Sequence, residues 1–343
     1  TIPNNWILPV IPGSKYITIG GMVASDVHGK NHHKVGSFRN FISEIKLLTN
    51  KNKITTCSKR KNQNLFNFTI AGMGLTGIIY SCKFKLLKIS SDIIEQKIIK
   101  NKNLNETLDS LKDNNNYAYT AAWIDSSASG DTKGRSILYC GNHKNIKKKS
   151  VFLQKKRLGI LFNLPNWFMS NHLIKFLNSV YFNVITPKEK DVSLNDFFFQ
   201  LDKIKNWNLI YGNKGFVSYQ CVIPIDKGKK GLKEILDVLI KNKVYSFVSV
   251  IKLLGKNDGF LSFGIKGYTI VFDFPMSKNL DFVLSQLDSI VIKYYGKIYL
   301  TKDSRLKSKT FFKTNKKKIL ENFKKLRKGD IFYESSQSKR IGI

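Results

Sequence analysis

The order of apolar and polar positions along the chain alternates between two periods. Residues 15–20 (KYITIG) alternate with β-branched residues and read as a short strand ending in a glycine turn; 41–50 (FISEIKLLTN) reads as a strand running into a turn. Residues 52–64 are polar and read as a hairpin and loop, followed by an apolar stretch from Leu65 to Ile70. Glycines 72, 74 and 77 have the spacing of a dinucleotide loop, but residues 78–86 (IIYSCKFKL) read as a strand rather than a helix, which disfavours a Rossmann unit. The character changes near residue 92. Helical spacing then predicts helices at 104–112, near 170–182, at 229–241, 279–295 and 316–328. Strands are predicted at 117–124, 136–140, 216–224, 245–254, 268–274 and 297–300. This is an α+β pattern, an antiparallel sheet with helices on one side.

Composition adds two constraints. With 343 residues, 42% of them hydrophobic, the chain can bury a sizeable core as one large domain or two ordinary ones. Its formal charge is +34, yet only seven of the 58 basic residues are Arg. Readers of nucleic acid favour Arg for bidentate contacts. Lys, Asn and Ile share A/T-rich codons, so compositional drift accounts for most of the charge and no nucleic-acid partner is expected. Attraction to anionic lipid or phosphate is the secondary expectation. The four cysteines (57, 82, 140 and 221) form no CxxC and read as separate buried thiols in a reducing compartment. No apolar run reaches the length of a spanning helix.

Chemistry concentrates in residues 20–33, GGMVASDVHGKNHH, which hold paired glycines and three of the five histidines. Gly13, Thr18, Ile19, Gly20 and Gly21 fit either a backbone cradle for an anion or an ordinary hairpin turn. His32 and His33 have no third metal ligand nearby, so no metal is expected.

The run Leu8–Gly13, then Thr18–Gly21, Ser25–His33 and Gly36–Phe38 resembles the FAD-linked oxidases of the vanillyl-alcohol-oxidase type, within them the branch that oxidises polyprenylphosphoryl-ribose. The resemblance continues through Gly74–Ile79, Ala122–Asp125, Tyr211-Gly212, Tyr219-Gln220, Lys252–Gly255, Asp273–Pro275 and Tyr299–Arg305, nearly the whole chain. It implies a two-domain fold: residues 1–90 as the C-terminal part of a PCMH-type FAD-binding domain, 91–300 as an antiparallel-sheet substrate domain, and 301–343 returning to the FAD domain. It also implies that the Arg- and Gly-rich loop gripping the FAD pyrophosphate lies upstream of Thr1, so that the chain is N-terminally truncated.

For function, the resemblance implies oxidation of the 2-hydroxyl of a polyprenylphosphoryl-β-D-ribose to the 2-keto compound, the first half of an epimerisation to arabinose in cell-wall arabinan synthesis. An NAD(P)H-dependent short-chain reductase would be the second subunit. FAD would be bound non-covalently by Gly13, Thr18, Ile19, Gly20, Gly21, Ser25, Asp26, Val27, His28, Ile78, Ile79 and Tyr299. Lys302 would polarise the substrate hydroxyl, with Gln220 and Lys252 orienting it in the same cavity. Lys30, Trp123, Tyr211, Val250 and Val271 would line the substrate side, Lys30 facing its phosphate and Val271 standing where close family members place a cysteine. Core packing is the competing reading for Trp123 and Tyr211. A flavin-dependent aldonolactone or polyol oxidase is the alternative enzyme, and a basic protein binding nucleic acid or anionic lipid is the alternative of another class. The expected location is cytoplasmic or membrane-peripheral.

Overall fold

The computed structural model describes residues 2–49, 53–146, 158–330 and 333–343. The first region builds a small three-stranded antiparallel sheet. Its elements are α1 (Ile19–Ala24), β1 (Ile42–Leu48), β2 (Ile54–Ser58), α2 (Gln63–Thr69) and β3 (Ile78–Phe84), with strand order β2-β1-β3. Ile45 on the central strand faces Cys57 on one side and Cys82 on the other in register. Met22 and Val23 of α1 and Phe66 of α2 pack with Ile45 and Leu47 into one core. One local expectation changes here. Residues 15–20 form no strand: the Thr18 hydroxyl accepts the Gly21 N–H at 3.0 Å and starts α1, so the glycine pair is helical. A Cβ on Gly20 would make only ordinary contact with Ile79 of β3 at 3.9 Å, whereas one on Gly21 would crowd the capping Thr18 hydroxyl at 3.1 Å. The polar stretch 52–64 gives the expected hairpin strand, residues 54–58 pairing with β1, and its end forms the first turn of α2.

The larger region is an eight-stranded sheet in which every pairing is antiparallel. Its elements in chain order are β4 (Ile93–Asn101), α3 (Leu104–Asp113), β5 (Tyr119–Ile124), β6 (Ser136–His143), α4 (Asn171–Val184), β7 (Lys188–Ser193), α5 (Leu194–Phe198), β8 (Phe216–Pro224), α6 (Gly228–Lys241), β9 (Ser249–Leu254), β10 (Gly267–Pro275), α7 (Leu280–Lys293) and β11 (Lys297–Ile298). The spatial order is β7-β4-β6-β5-β9-β10-β8-β11. Helices α3, α6 and α7 cover one face, burying Leu108, Leu111, Leu232, Leu236, Leu284 and Leu287 against Cys221, Ile251, Ile270 and Phe272. The amphipathic spacing of these helices and the period of two in the strands select that face.

Strands β8 and β10 approach closely because residue 267 is glycine; a Cβ there would stand 2.1 Å from the Ile223 carbonyl oxygen. After β11 come α8 (Ser308–Thr314), α9 (Lys317–Asp330) and α10 (Ser336–Ile341). Phe323 of α9 packs on Phe68 of α2, ring centroids 5.3 Å apart, so the C-terminal helices meet the first region.

Candidate active site

Because strand side chains alternate, the residues between those of the helix-facing core point to the opposite face of the sheet. On β8 these are Ser218 and Gln220, on β9 Val250 and Lys252, and on β10 Thr269, Val271 and Asp273. The registers Gln220–Val271–Val250 and Ser218–Asp273 place them side by side. All but Thr269 line a cavity of about 430 Å³. The rest of its wall comes from the segments 11–17 and 27–30, from residues 198–207 around Trp207, from Ala121, Phe216 and Val248, and from Tyr299, Thr301 and Lys302.

The segment carrying His28 is held from three sides. Gly29 lies so close to residue 11 that a Cβ would be 3.0 Å from the Ile11 carbonyl oxygen. Asn31 Nδ2 donates to the Pro9 carbonyl at 2.7 Å. Asp26, at a positive φ of 42°, accepts from Ser37 Oγ at 2.8 Å, from the Arg39 N–H at 2.9 Å and from Ser262 Oγ. The buried Asp26 carboxylate is thus a brace joining this segment to the 257–262 loop, and it is not among the cavity-lining residues. Ser25 is likewise outside the cavity, and its carbonyl accepts from the Tyr299 hydroxyl at 3.2 Å. Tyr299 stacks on Phe263 at 4.6 Å and lies 5.4 Å from the His28 ring, while its N–H donates to the Gln220 carbonyl at 2.9 Å.

Hydrogen bonding assigns the His28 tautomer. The Thr269 hydroxyl must donate to the Cys221 carbonyl, which lies at 2.9 Å, so its oxygen accepts from Gln220 Nε2 at 3.0 Å. The same Gln220 amide nitrogen lies 2.9 Å from His28 Nε2, making that ring nitrogen an acceptor. The ring proton then sits on Nδ1, 3.2 Å from Lys252 Nζ, an arrangement that suits an uncharged amine. Burial, together with the Lys30 and Lys302 charges, pushes Lys252 down to about 7. Burial also pushes Lys30 down to about 7 and, with Lys252, His32 and Lys302 nearby, holds His28 well below its ordinary value. Lys30 Nζ donates to the Phe197 carbonyl and lies 4.4 Å from the centroid of the Phe197 ring. Lys302 Nζ stands 4.0 Å from Asp273 Oδ1, and Ser218 donates to that same oxygen. The Asp273 carboxyl is raised by burial, an effect partly offset by Lys302 and Ser218.

The cavity therefore brings together Lys302, Gln220, Lys252, Gly13, Val27, His28, Tyr299, Lys30, Val250 and Val271. It does not include Thr18, Ile19, Gly20, Gly21, Ile78 or Ile79, which lie where α1 meets β3; Ile17, at the cavity edge, precedes them. Trp123 and Tyr211 are in packing roles. Trp123 donates to the Phe247 carbonyl at 2.9 Å and meets Tyr181 at 4.8 Å; Tyr211 stacks on Phe216 at 4.5 Å and lines a separate cleft. His32 and His33 make structural hydrogen bonds, to the Gly255 N–H and the Tyr117 carbonyl. Among the described residues no group of three His, Cys, Asp or Glu side chains is placed to hold a metal. Ser218, Thr269 and Asp273 belong to the site without having been picked from the sequence. Each lies two residues from a chosen position on the same strand, and that period was the signal available.

No protein-family model matches the chain. Over 323 residues it is 31% identical to the decaprenylphosphoryl-beta-D-ribose oxidase of Mycolicibacterium smegmatis, covering 90% of this chain and 70% of that protein. It is also 23% identical over 367 residues to an uncharacterized protein in the mprA 5'region of Streptomyces coelicolor, covering 100% of this chain and 97% of that one. With cationic and hydrogen-bonding side chains gathered on the open face of an antiparallel sheet, and with this identity along most of its length, the chain belongs to the decaprenylphosphoryl-beta-D-ribose oxidase family and is an oxidoreductase.

Proposed function

We propose that the protein is an FAD-dependent oxidase of the 2-hydroxyl of a polyprenylphosphoryl-β-D-ribose. The observation that carries this reading is the convergence of Lys30, Lys252 and Lys302 with His28 in one largely apolar cavity. Among the described residues two carboxylates, Asp202 and Asp273, share that lining, and Asp202 already accepts the Lys15 N–H at 2.8 Å. Such a donor set fits an anionic, electron-rich occupant, and the similarity to the mycobacterial oxidase supports the choice of substrate.

FAD supplies the hydride acceptor when bound. Gly13, His28 and Tyr299 would hold its ring system in the cavity, and the turn into α1 (Thr18–Gly21) with Ile78 and Ile79 would hold the part beyond Ile17. The residues of the PCMH-type domain would thus be 1–90 with 301–343, and those of the substrate domain 91–300. Contact of Phe323 with Phe68 favours that grouping.

The substrate alcohol loses a hydride from carbon and a proton from oxygen. Lys302 polarises the hydroxyl oxygen and balances negative charge developing beside it. Lys252, pushed down to about 7 by burial with Lys30 and Lys302, accepts the hydroxyl proton at Nζ once its lone pair turns from the His28 Nδ1–H to the substrate. Gln220 fixes the tautomer of His28 and thereby acts as a positioning residue. Lys30 faces the substrate phosphate. The 2-keto product is then a substrate for a separate NAD(P)H-dependent reductase.

The test is anaerobic mixing of the FAD-loaded protein with polyprenylphosphoryl-ribose, following loss of the flavin absorbance. Lys302→Ala should keep the yellow spectrum and slow bleaching by about 10²–10³-fold, the usual cost of losing one electrostatic stabiliser. Bleaching at the parent rate would remove Lys302 from the chemistry. Faster reduction by an aldonolactone than by the ribosyl lipid would overturn the substrate assignment.

A further inference from the structure

A second cleft, of about 540 Å³, shares no lining residue with the catalytic cavity. The stacked rings of Tyr211 and Phe216 connect the two walls: Tyr211 lines the cleft and Phe216 the cavity. Nothing in the reaction proposed above uses this cleft, although its size suits a small molecule.

Helix α4 begins in its wall. Ser170 caps the helix in an extended conformation, φ −67° and ψ 152°. Its hydroxyl accepts the Leu173 N–H at 3.4 Å, and its carbonyl accepts the Ile174 N–H at 2.9 Å. The N–H groups of Asn171 and His172 have no acceptor among the described residues, and both residues line the cleft. A helix of 14 residues concentrates partial positive charge at these two groups.

Two tyrosines add unused donors. Tyr245 is only 8% exposed and lines the same cleft; its hydroxyl has no partner among the described residues, yet it is not sealed from solvent. Burial and the Asp125 charge raise its pKa, so at neutral pH it is a donor lacking an acceptor. Tyr211, 3% exposed, also lines the cleft with an unpartnered hydroxyl. Buried polar groups left unpaired are costly, and an occupant that supplies the acceptor removes that cost.

Charge and shape identify the occupant. Among the described residues no Asp or Glu lines the cleft, while exposed Lys175, Lys214 and Lys243 line it without an ion-pair partner. Met169, Val244, Pro275 and Met276 supply an apolar wall. We infer that the cleft binds an organic carboxylate with an apolar body, the carboxylate held by the Asn171 and His172 N–H groups and the Tyr245 hydroxyl, the body lying against Met169 and Met276. Two open N–H groups and one hydroxyl match the acceptor capacity of two carboxylate oxygens. The exposed lysines keep their hydration and steer the anion. Inorganic phosphate, lacking the apolar body, should not be retained there.

The methionines provide the readout. The chain has four, of which Met169 and Met276 line this cleft and Met22 sits in the core of the first region. With the methionine methyl groups isotope-labelled, an NMR titration with phenylpropanoate should shift the Met169 and Met276 signals and leave that of Met22 in place. Phenylpropanol, which has the same body and no charge, should bind at least about tenfold more weakly. Asn171→Pro removes one N–H at the first helical position, where proline is tolerated, and should weaken phenylpropanoate about tenfold; Asn171→Ala, which keeps the N–H, should bind as the parent does. Tyr245→Phe, which leaves the backbone alone, should weaken it by about fivefold. Absence of shifts at Met169 and Met276, equal affinity for the acid and the alcohol, equal binding by the two Asn171 variants, or unchanged affinity in Tyr245→Phe would each overturn the inference.

Discussion

At His28 both ring nitrogens are engaged, one by an amide whose orientation is set by Thr269 on the neighbouring strand and one by an amine. The sequence singled out His28, Gln220 and Lys252 separately; that they form one chain through Thr269 depended on strand register, which no local pattern encodes. The coupling makes protonation of Lys252 a property of the fold. A lysine lowered from 10.5 to about 7 binds fewer protons folded than unfolded between those values, so its contribution to stability rises with pH across that window and is flat and unfavourable below it. Lys252→Met removes that penalty. The variant should exceed the parent in unfolding midpoint near pH 7, and its advantage should shrink as the pH approaches 10. Denaturant titrations of both proteins at several pH values in that range check the sign; an advantage that grows with pH would show that Lys252 is not held below its ordinary value. Trp123 and Tyr211 teach the converse lesson: an aromatic beside a recognisable motif is as compatible with core packing as with a cavity wall, and neither of the two lines this cavity.

Most elements of the large sheet were legible because their periods were undisturbed. Strand 216–224 and the helices near 229–241 and 279–295 appear within a residue or two of where spacing put them. The failure at 15–20 has a physical cause. Alternating β-branched residues carry a weak propensity, which a Thr18 cap and the packing of α1 against β3 override. Strands β4 and β7 were missed; β7 reads KEKDVS, a polar edge strand with no apolar face to betray it. Asp26 shows how elements distant in sequence are locked. Its carboxylate is almost fully buried and accepts hydrogen bonds from Ser37, Arg39 and Ser262, joining residues 25–39 to the loop after β9. Asp26→Ala strands those donors and should cost on the order of 3 kcal/mol, read as a lower urea midpoint. A loss below about 0.5 kcal/mol would mean the brace is dispensable.

For the molecule as a whole, the cavity holds Lys30 and Lys252 near 7, so an anion that enters should favour their charged forms and stabilise the folded state by mass action. Phosphate should raise the thermal midpoint of the protein more than chloride at matched ionic strength, and Lys30→Met combined with Lys252→Met should erase that difference. Equal effects of the two anions on the parent would place the uncompensated charge elsewhere on the surface. The family was legible from motifs spread along most of the chain, whereas the uncovered apolar side of α4 was not, because a helix apolar on both sides looks in sequence like one that is simply buried.

The central sheet also acts as a chemical partition. On β8 the residues at 219, 221 and 223 belong to the helical core while 218 and 220 belong to the cavity, and on β10 the core takes 270, 272 and 274. Cys221 is thus only a strand's thickness from the cavity yet opens to the other side, its thiol raised by burial. Among the described residues lining the cavity none is a cysteine, and Val271 presents only methyl groups there. A thiol-seeking compound that fits this cavity would therefore be retained by shape and charge alone and would wash out on dilution. Replacing the side chains that face it would leave the layer that holds the fold untouched.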